Sequence, residues 1–305
     1  MRYHRGSQRH REPVVIGGMQ GHQWRFVKEA LMRIGSLKDK AFHSLLAVIG
    51  GSYVLLVVLL LIADVAYAPA GRILELMGKP EIRFAVQLTL LSCTAAAVLS
   101  LVVAVPLGYG LSRYRFPLRW LVDALVEIPV VLPPLVVGLS LLILFHLPIN
   151  GVRLEDWLRE RLGWQITYAV PAVILAQFAV AGAFAVRTMR VTFDQIPARS
   201  EQVALTLGCS QAQAFWHVTL PQARRGMLAA FTIAWARSLG EFGPILVFAG
   251  ATRMRTEVLS TTVFLELSTG NLENAVSVSL VMVVVALLVL LILRWLGVEQ
   301  RTKGS

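Results

Sequence analysis

EQVALTLGCSQAQAFWHVTLP, residues 201–221, stands between two long apolar runs. It is too polar to cross a bilayer, and its punctuation is that of two short helices. Ser200 is placed to cap a first helix over 201–207, and Gly208 to end it in the left-handed conformation. Ser210 and Gln213 have the spacing of a capping box that opens a second helix. Proline cannot continue a helix, so Val218-Thr219-Leu220-Pro221 is expected to stop it. Val203, Ala204, Leu207, Phe215 and Trp216 are apolar within this otherwise polar segment. Such a patch asks for a partner surface.

The flanking runs belong to a chain that is 56% hydrophobic and only 15% charged, with a mean hydropathy of +0.66. A soluble domain carries about 25% charged residues. A bilayer core of about 30 Å needs roughly 20 apolar residues in a helix. Six blocks qualify, at about 44–66, 84–111, 121–147, 168–189, 227–250 and 272–296. Each is expected to be helical, because lipid leaves backbone polar groups no partner outside the segment. The alternation of a membrane barrel is absent. The expected fold is therefore an all-α polytopic membrane protein with six transmembrane helices. Nine Lys or Arg precede the first block, and it shows no convincing cleavage site, so it reads as a retained membrane helix.

The net charge of +11 could suggest nucleic acid. Its distribution argues for membrane topology instead. With six spans and an internal N-terminus, twenty Lys or Arg fall on the cytoplasmic side and eight outside, with Arg237 within a span. Positive charge concentrates inside, so both termini are expected in the cytoplasm. Residues 1–43 form a basic tail, its first 23 residues expected to be disordered. Trp24, Val27, Leu31 and Ile34 recur at helical spacing, as in an interfacial helix on the inner leaflet or an ordinary solvated basic arm. Residues 44–296 form the transmembrane domain, and 297–305 a cytoplasmic tail. Outside, RLEDWLRERLG is helix-like, with Trp157 and Trp164 as interface anchors. Cys93 and Cys209 lie in different compartments and should not pair, and neither has a metal-ligand neighbour.

Two spans carry unusual backbone. EIPVVLPPLVVG places Pro129, Pro133 and Pro134 within the third, which must be broken or strongly kinked. Irregular backbone at membrane depth is tolerated where it is buried or lines a watery path, so the break is either a pathway element or a packing device. The fourth span is rich in Ala, with Gly182. Small residues let helices approach closely, which favours a buried helix or a subunit interface. In the fifth, Arg237 and Glu241 are four apart on one face, and charges at this depth normally face the bundle interior or a cavity. The pair either neutralises itself at a gate or helix contact, or Arg237 offers its forked donors to a passing oxyanion.

Gln202-Val203-Ala204, Gly208 and Val218-Thr219-Leu220-Pro221 resemble the E-A-A, three residues, G, nine residues, I-x-L-P signature. That signature marks the membrane subunits of bacterial binding-protein-dependent ABC importers. The spacing fits throughout. Gln202 replaces the usual Glu, Val203 the first Ala and Val218 the Ile, while Glu201, one place earlier, offers an acidic group. The resemblance covers about 84–296, with the coupling loop over about 191–226. VVLPPLVVG and ARSLGEFG are similar to segments of molybdate permeases, with sulfate permeases close behind. It implies a type I permease fold and a homodimer of six-span subunits in the inner membrane. Each subunit would dock on a cytoplasmic ATPase subunit, and an extracytoplasmic binding protein would deliver substrate. The docking residues it implies are Glu201, Gln202, Val203, Ala204, Leu207, Gly208, Phe215, Trp216, Val218, Leu220 and Pro221.

The chain itself has no G-x-x-x-x-G-K-[ST] phosphate loop, no H-E-x-x-H and no G-x-S-x-G. No cofactor or catalytic role is expected of it, and energy must come from a partner. A channel or secondary transporter without an ATPase is the competing class. An intramembrane enzyme would need paired Asp, or Ser and His, at membrane depth, and the histidines sit in the tail and loops, with only His146 near a span end.

Overall fold

The computed structural model describes residues 21–68, 70–149 and 151–302, with side chains for 42–68, 71–148 and 151–295. Of the tail expected to be disordered, 1–23, residues 1–20 lie outside the described residues, and 21–23 are instead the start of a helix. The chain divides into two units, 1–62 and 63–305, with the boundary inside the first helix.

Helix α1 runs unbroken from Gly21 to Tyr67. The basic stretch 24–43 is thus not set off as a separate interfacial helix. No proline interrupts 21–67, and a helix continues until something breaks its ladder. The apolar part, Phe42–Tyr67, exposes nearly all its side chains.

The second unit is a helical bundle. It comprises α2 (Ala70–Gly78), α3 (Pro80–Arg113), α4 (Arg119–Val131), α5 (Pro134–His146), α6 (Leu154–Leu162) and α7 (Val170–Gln195). There follow α8 (Ala198–Thr206), α9 (Gln211–Ala214), α10 (Leu220–Leu239), α11 (Gly243–Phe248), α12 (Leu259–Ser268) and α13 (Leu272–Thr302). A two-residue antiparallel ladder, Pro148–Ile149 with Val152–Arg153, is the one strand pairing among the described residues.

The centre of the bundle is α3, α7 and α10, which pack on small residues. Cys93, Ala97 and Ala104 meet Ala181, Ala185 and Met189, with Ala230, Ala234 and Trp235 completing the layer. The approach is close enough that a Cβ on Gly108 would lie 2.9 Å from the backbone nitrogen of Arg190. Here the small-residue face read in the fourth span is inside the bundle, with Ala176, Ala181, Gly182, Ala183 and Ala185 all buried.

Four helical stretches among the described residues are long and apolar enough to cross a membrane: Phe42–Tyr67, Pro80–Arg113, Val170–Gln195 and Leu272–Trp295. The proline-rich third block breaks as its sequence requires. α4 ends at Leu132, Pro133 holds an extended ψ of 133°, and α5 leaves at 113° to α4. The fifth block, 227–250, is not one helix. α10 stops at Gly240, and Pro244 opens α11 within its first turn. α10 also carries Arg224, Arg225 and Arg237 in its 20 residues, which lowers its apolar character.

Candidate functional site

The segment expected to couple, about 191–226, takes in the end of α7 and then α8. Pro197 occupies the N-cap position with φ −60°, and no side chain caps the helix. The expected cap by Ser200 is therefore corrected: Ser200 lies in the first turn, its N–H bonded to the Pro197 carbonyl at 3.1 Å. Proline pre-sets the φ of the entry and starts the helix earlier than a serine signal would. At the other end Gly208 takes φ +92°. The Cys209 N–H reaches back to the Ala204 carbonyl at 3.1 Å and that of Gly208 to Leu205 at 3.0 Å, which closes the helix.

The capping box is present in both directions. Ser210 N–H donates to Gln213 Oε1 at 2.8 Å, and Gln213 N–H donates to Ser210 Oγ at 3.3 Å. The stop expected at Pro221 is absent. The second helix instead widens into a π turn over Phe215–Thr219 and continues through Pro221 as α10 to Leu239. The Leu220 N–H bonds to the Phe215 carbonyl, five residues back. Proline clashes with the carbonyl four residues before it and has no N–H to give. A widened turn just ahead of Pro221 relieves both constraints, and helices use such bulges in this way.

Side chains sort onto two faces. Val203, Leu207 and Trp216 are exposed, Leu207 at 80%, and Leu205 extends their edge. Ala204 and Phe215 belong to the other face and are not part of an outward patch. Ala204 is buried, and the Phe215 ring lies 4.7 Å from that of Tyr109 on α3. Gln202, Gly208 and Pro221 are exposed, while Val218 and Leu220 are half-buried.

Glu201 points at the chain's own helices. Its carboxylate accepts from Arg113 Nε at 3.0 Å, Tyr109 Oη at 3.1 Å and Thr219 Oγ1 at 2.7 Å. Tyr109, Arg113 and Thr219 were not legible as site residues. Arg113 counts in the sequence only as one more internal positive charge, and Thr219 is an unmarked position inside the signature. A second ion pair, Arg190–Asp123 at 2.6 Å, ties α7 to α4.

Deeper in the bundle, Arg237 and Glu241 form an ion pair at 2.5 Å across the end of α10. Glu241 is buried, whereas about a third of the Arg237 side chain is exposed, 32%. The guanidinium also lies 5.6 Å from the centre of the Phe184 ring, within range of a cation–π contact. Ser260 Oγ donates to the Glu241 carbonyl at 2.7 Å, which joins this point to α12. The start of α11 crosses the start of α5 so closely that a Cβ on Gly138 would sit 2.6 Å from Pro244 Cα. Gly243 faces Leu135 in the same contact. Pro133 and Pro134, at the break, and Arg237–Glu241, at the end of α10, thus flank one helix crossing. Pro129 lies apart from it, within α4.

The fold thus combines several helices long and apolar enough to cross a membrane with a helix pair between α7 and α10 that exposes large apolar side chains. The chain belongs to the family of binding-protein-dependent transport system inner membrane components, which matches residues 96–299. It is 36% identical over 232 residues to the molybdenum transport system permease protein ModB of Mycobacterium tuberculosis, covering 76% of this chain and 84% of that one. It is 33% identical over 216 residues to the sulfate transport system permease protein CysT of Escherichia coli K12, covering 71% and 76%. In fold it resembles a bacterial ABC transporter involved in the import of the acidic polysaccharide alginate. That likeness has a TM-score of 0.65 at 18% identity, covering 91% of this chain and 99% of that one. The chain is accordingly a multi-pass permease component of an ABC importer in the inner membrane. It is not an enzyme, and ATP hydrolysis belongs to a separate subunit.

Proposed function

We propose that this permease carries a tetrahedral oxyanion into the cytoplasm, with molybdate or tungstate as the substrate, as one half of a homodimer. Each half would dock a cytoplasmic ATPase through the exposed edge of Val203, Leu207 and Trp216 and receive substrate from an extracytoplasmic oxyanion-binding protein. The observation that carries the coupling role is that edge: large apolar side chains held outward on a helix pair stiffened by a capping box and a glycine turn. Exposed apolar patches on a rigid support mark interaction surfaces.

Six crossings per subunit fit this reading. α10 and α11 together serve as the fifth, and the bent α4–α5 pair as the third. Both termini and the coupling segment, about 191–226, lie in the cytoplasm, with 44–296 as the transmembrane domain, about 84–296 as its importer core and 1–43 and 297–305 as cytoplasmic tails. Arg237 is already paired, and a translocation path should not trap its cargo. The Arg237–Glu241 pair therefore belongs to the gate, where it steadies the crossing of α5 and α11.

Sulfate or thiosulfate is the second reading, favoured by the similarity to CysT. The purified complex with its binding protein decides between them. ATP hydrolysis is expected to rise with molybdate or tungstate well above its level with sulfate. Stimulation by sulfate alone moves the assignment to the second reading. Stimulation by a sugar or amino acid rejects both, and uptake without ATP places the chain in the channel or secondary-transporter class.

A further inference from the structure

We infer that Glu201 is a positioning residue that locks the coupling helices to the cytoplasmic end of α3, and that it does not bind the ATPase. This rests on the coupling role proposed for 191–226. Its three hydrogen-bond donors come from two places far apart in sequence: Tyr109 and Arg113 on α3, and Thr219 on the π turn. Arg113 uses a further nitrogen, Nη2, to hold the Ile196 carbonyl at the end of α7, at 2.8 Å. One carboxylate and one guanidinium therefore join α3, the end of α7, α8 and the π turn.

The arrangement is poorly suited to docking. The side chains of Glu201 and Arg113 are only 14% and 13% exposed. An ATPase cation that took the carboxylate would leave Arg113 half-desolvated without its counter-charge, and removing one partner of such a pair is costly. The carboxylate also already accepts three bonds of about four it has sites for.

The arrangement is well suited to transmitting force. The π turn interrupts the regular α-helical ladder between α9 and α10, and such single-turn interruptions are frequent at functional sites. Thr219 is the last residue of that turn and fully buried. The Glu201–Thr219 bond bridges from α8 across the turn, and Glu201–Arg113 carries the same load into α3. The edge-on packing of Tyr109 against Phe193, at 5.5 Å, and Phe215, at 4.7 Å, backs the polar contacts with apolar ones. Displacement of α8 by a docked ATPase then reaches α3 and α10 without first passing along the π turn.

The test uses the full complex with its ATPase and loaded binding protein in lipid discs. Leu207→Asp puts a charge on the exposed edge and tests the docking surface independently, through loss of ATPase co-purification. Glu201→Ala is expected to keep co-purification at the wild-type level while stimulation of ATP hydrolysis by loaded binding protein falls about tenfold. Arg113→Ala should behave alike, and the double variant should be no worse than either single one, as expected for one shared interaction. The exchange Glu201→Arg with Arg113→Glu should recover part of the stimulation. Thr219→Val keeps shape and removes one bond, and should lower stimulation several-fold. It decides the matter if Glu201→Ala fails to fold and reach the membrane. Loss of the ATPase from Glu201→Ala to the extent seen with Leu207→Asp would make Glu201 a docking residue and overturn the inference. Wild-type stimulation in Glu201→Ala, or in Thr219→Val where that variant decides, would equally overturn it. If Leu207→Asp alone keeps its ATPase, the docking surface is wrong and the Glu201 result still stands by itself.

Discussion

Gly208 and Gly138 constrain the chain for opposite reasons. Nothing lies within 4 Å of a Cβ built on Gly208, so space is no obstacle there. Its φ of +92° is the obstacle, since side-chain-bearing residues rarely adopt that region and β-branched ones least of all. Gly208→Val is expected to reach the membrane in normal amount and to lose most import, because the turn between α8 and α9 cannot form. Normal uptake by that variant would remove the turn from the coupling account. Gly138 has an ordinary φ, but its missing Cβ is where Pro244 passes. The neighbour is backbone and has no rotamer to retreat into. Gly138→Ala is expected to destabilise the detergent-purified protein by about 1–3 kcal/mol, the usual range for overpacking. Its thermal midpoint should fall by several degrees, measured beside Gly110→Ala, which meets nothing within 4 Å.

Among the elements, those with local causes were legible. Ser210 and Gln213 are three apart, and a capping box needs nothing else. Three prolines within six residues break the third block wherever the chain runs. The extent of α10 was not legible, because Pro221 reads as a helix end and the π turn that accommodates it leaves no mark in the sequence. Nor was the fifth block's division at Gly240, since hydropathy reads through a glycine. Glu201 shows the limit most plainly. Its partners Tyr109 and Arg113 are 92 and 88 positions away, and periodicity along one helix carries no information about them. The signature marks a candidate coupling segment, but not the direction in which its carboxylate points.

For the whole molecule, orientation can be read from a native reporter. Cys209 is exposed at the coupling turn, and Cys93 is buried in the bundle. With the coupling segment in the cytoplasm, a membrane-impermeant maleimide should leave Cys209 unmodified in intact cells and label it after permeabilisation. Glu160→Cys, on exposed α6, should label in both conditions. Labelling of Cys209 in intact cells, with Cys93→Ala to remove the other thiol, would invert the topology. The side proposed to face outward has its own tie. Arg253 bonds to Glu266, Glu266 accepts from Asn274, and Asn274 accepts from Arg72, so α2, α12 and α13 share one polar chain. Charge counts of loops suggested the sidedness but could not show that their residues join one another.

The crossing of Gly138 over Pro244 has a thermal corollary. Most helix contacts are made by side chains that freeze on closing and regain rotamers on opening, so each such event changes conformational entropy. Glycine has no rotamers to freeze, and proline has almost none. If α5 and α11 move apart during the transport cycle, this seam contributes little side-chain entropy in either direction. The temperature dependence of that movement then reflects hydration and the displaced neighbours around the seam, and scarcely the seam itself.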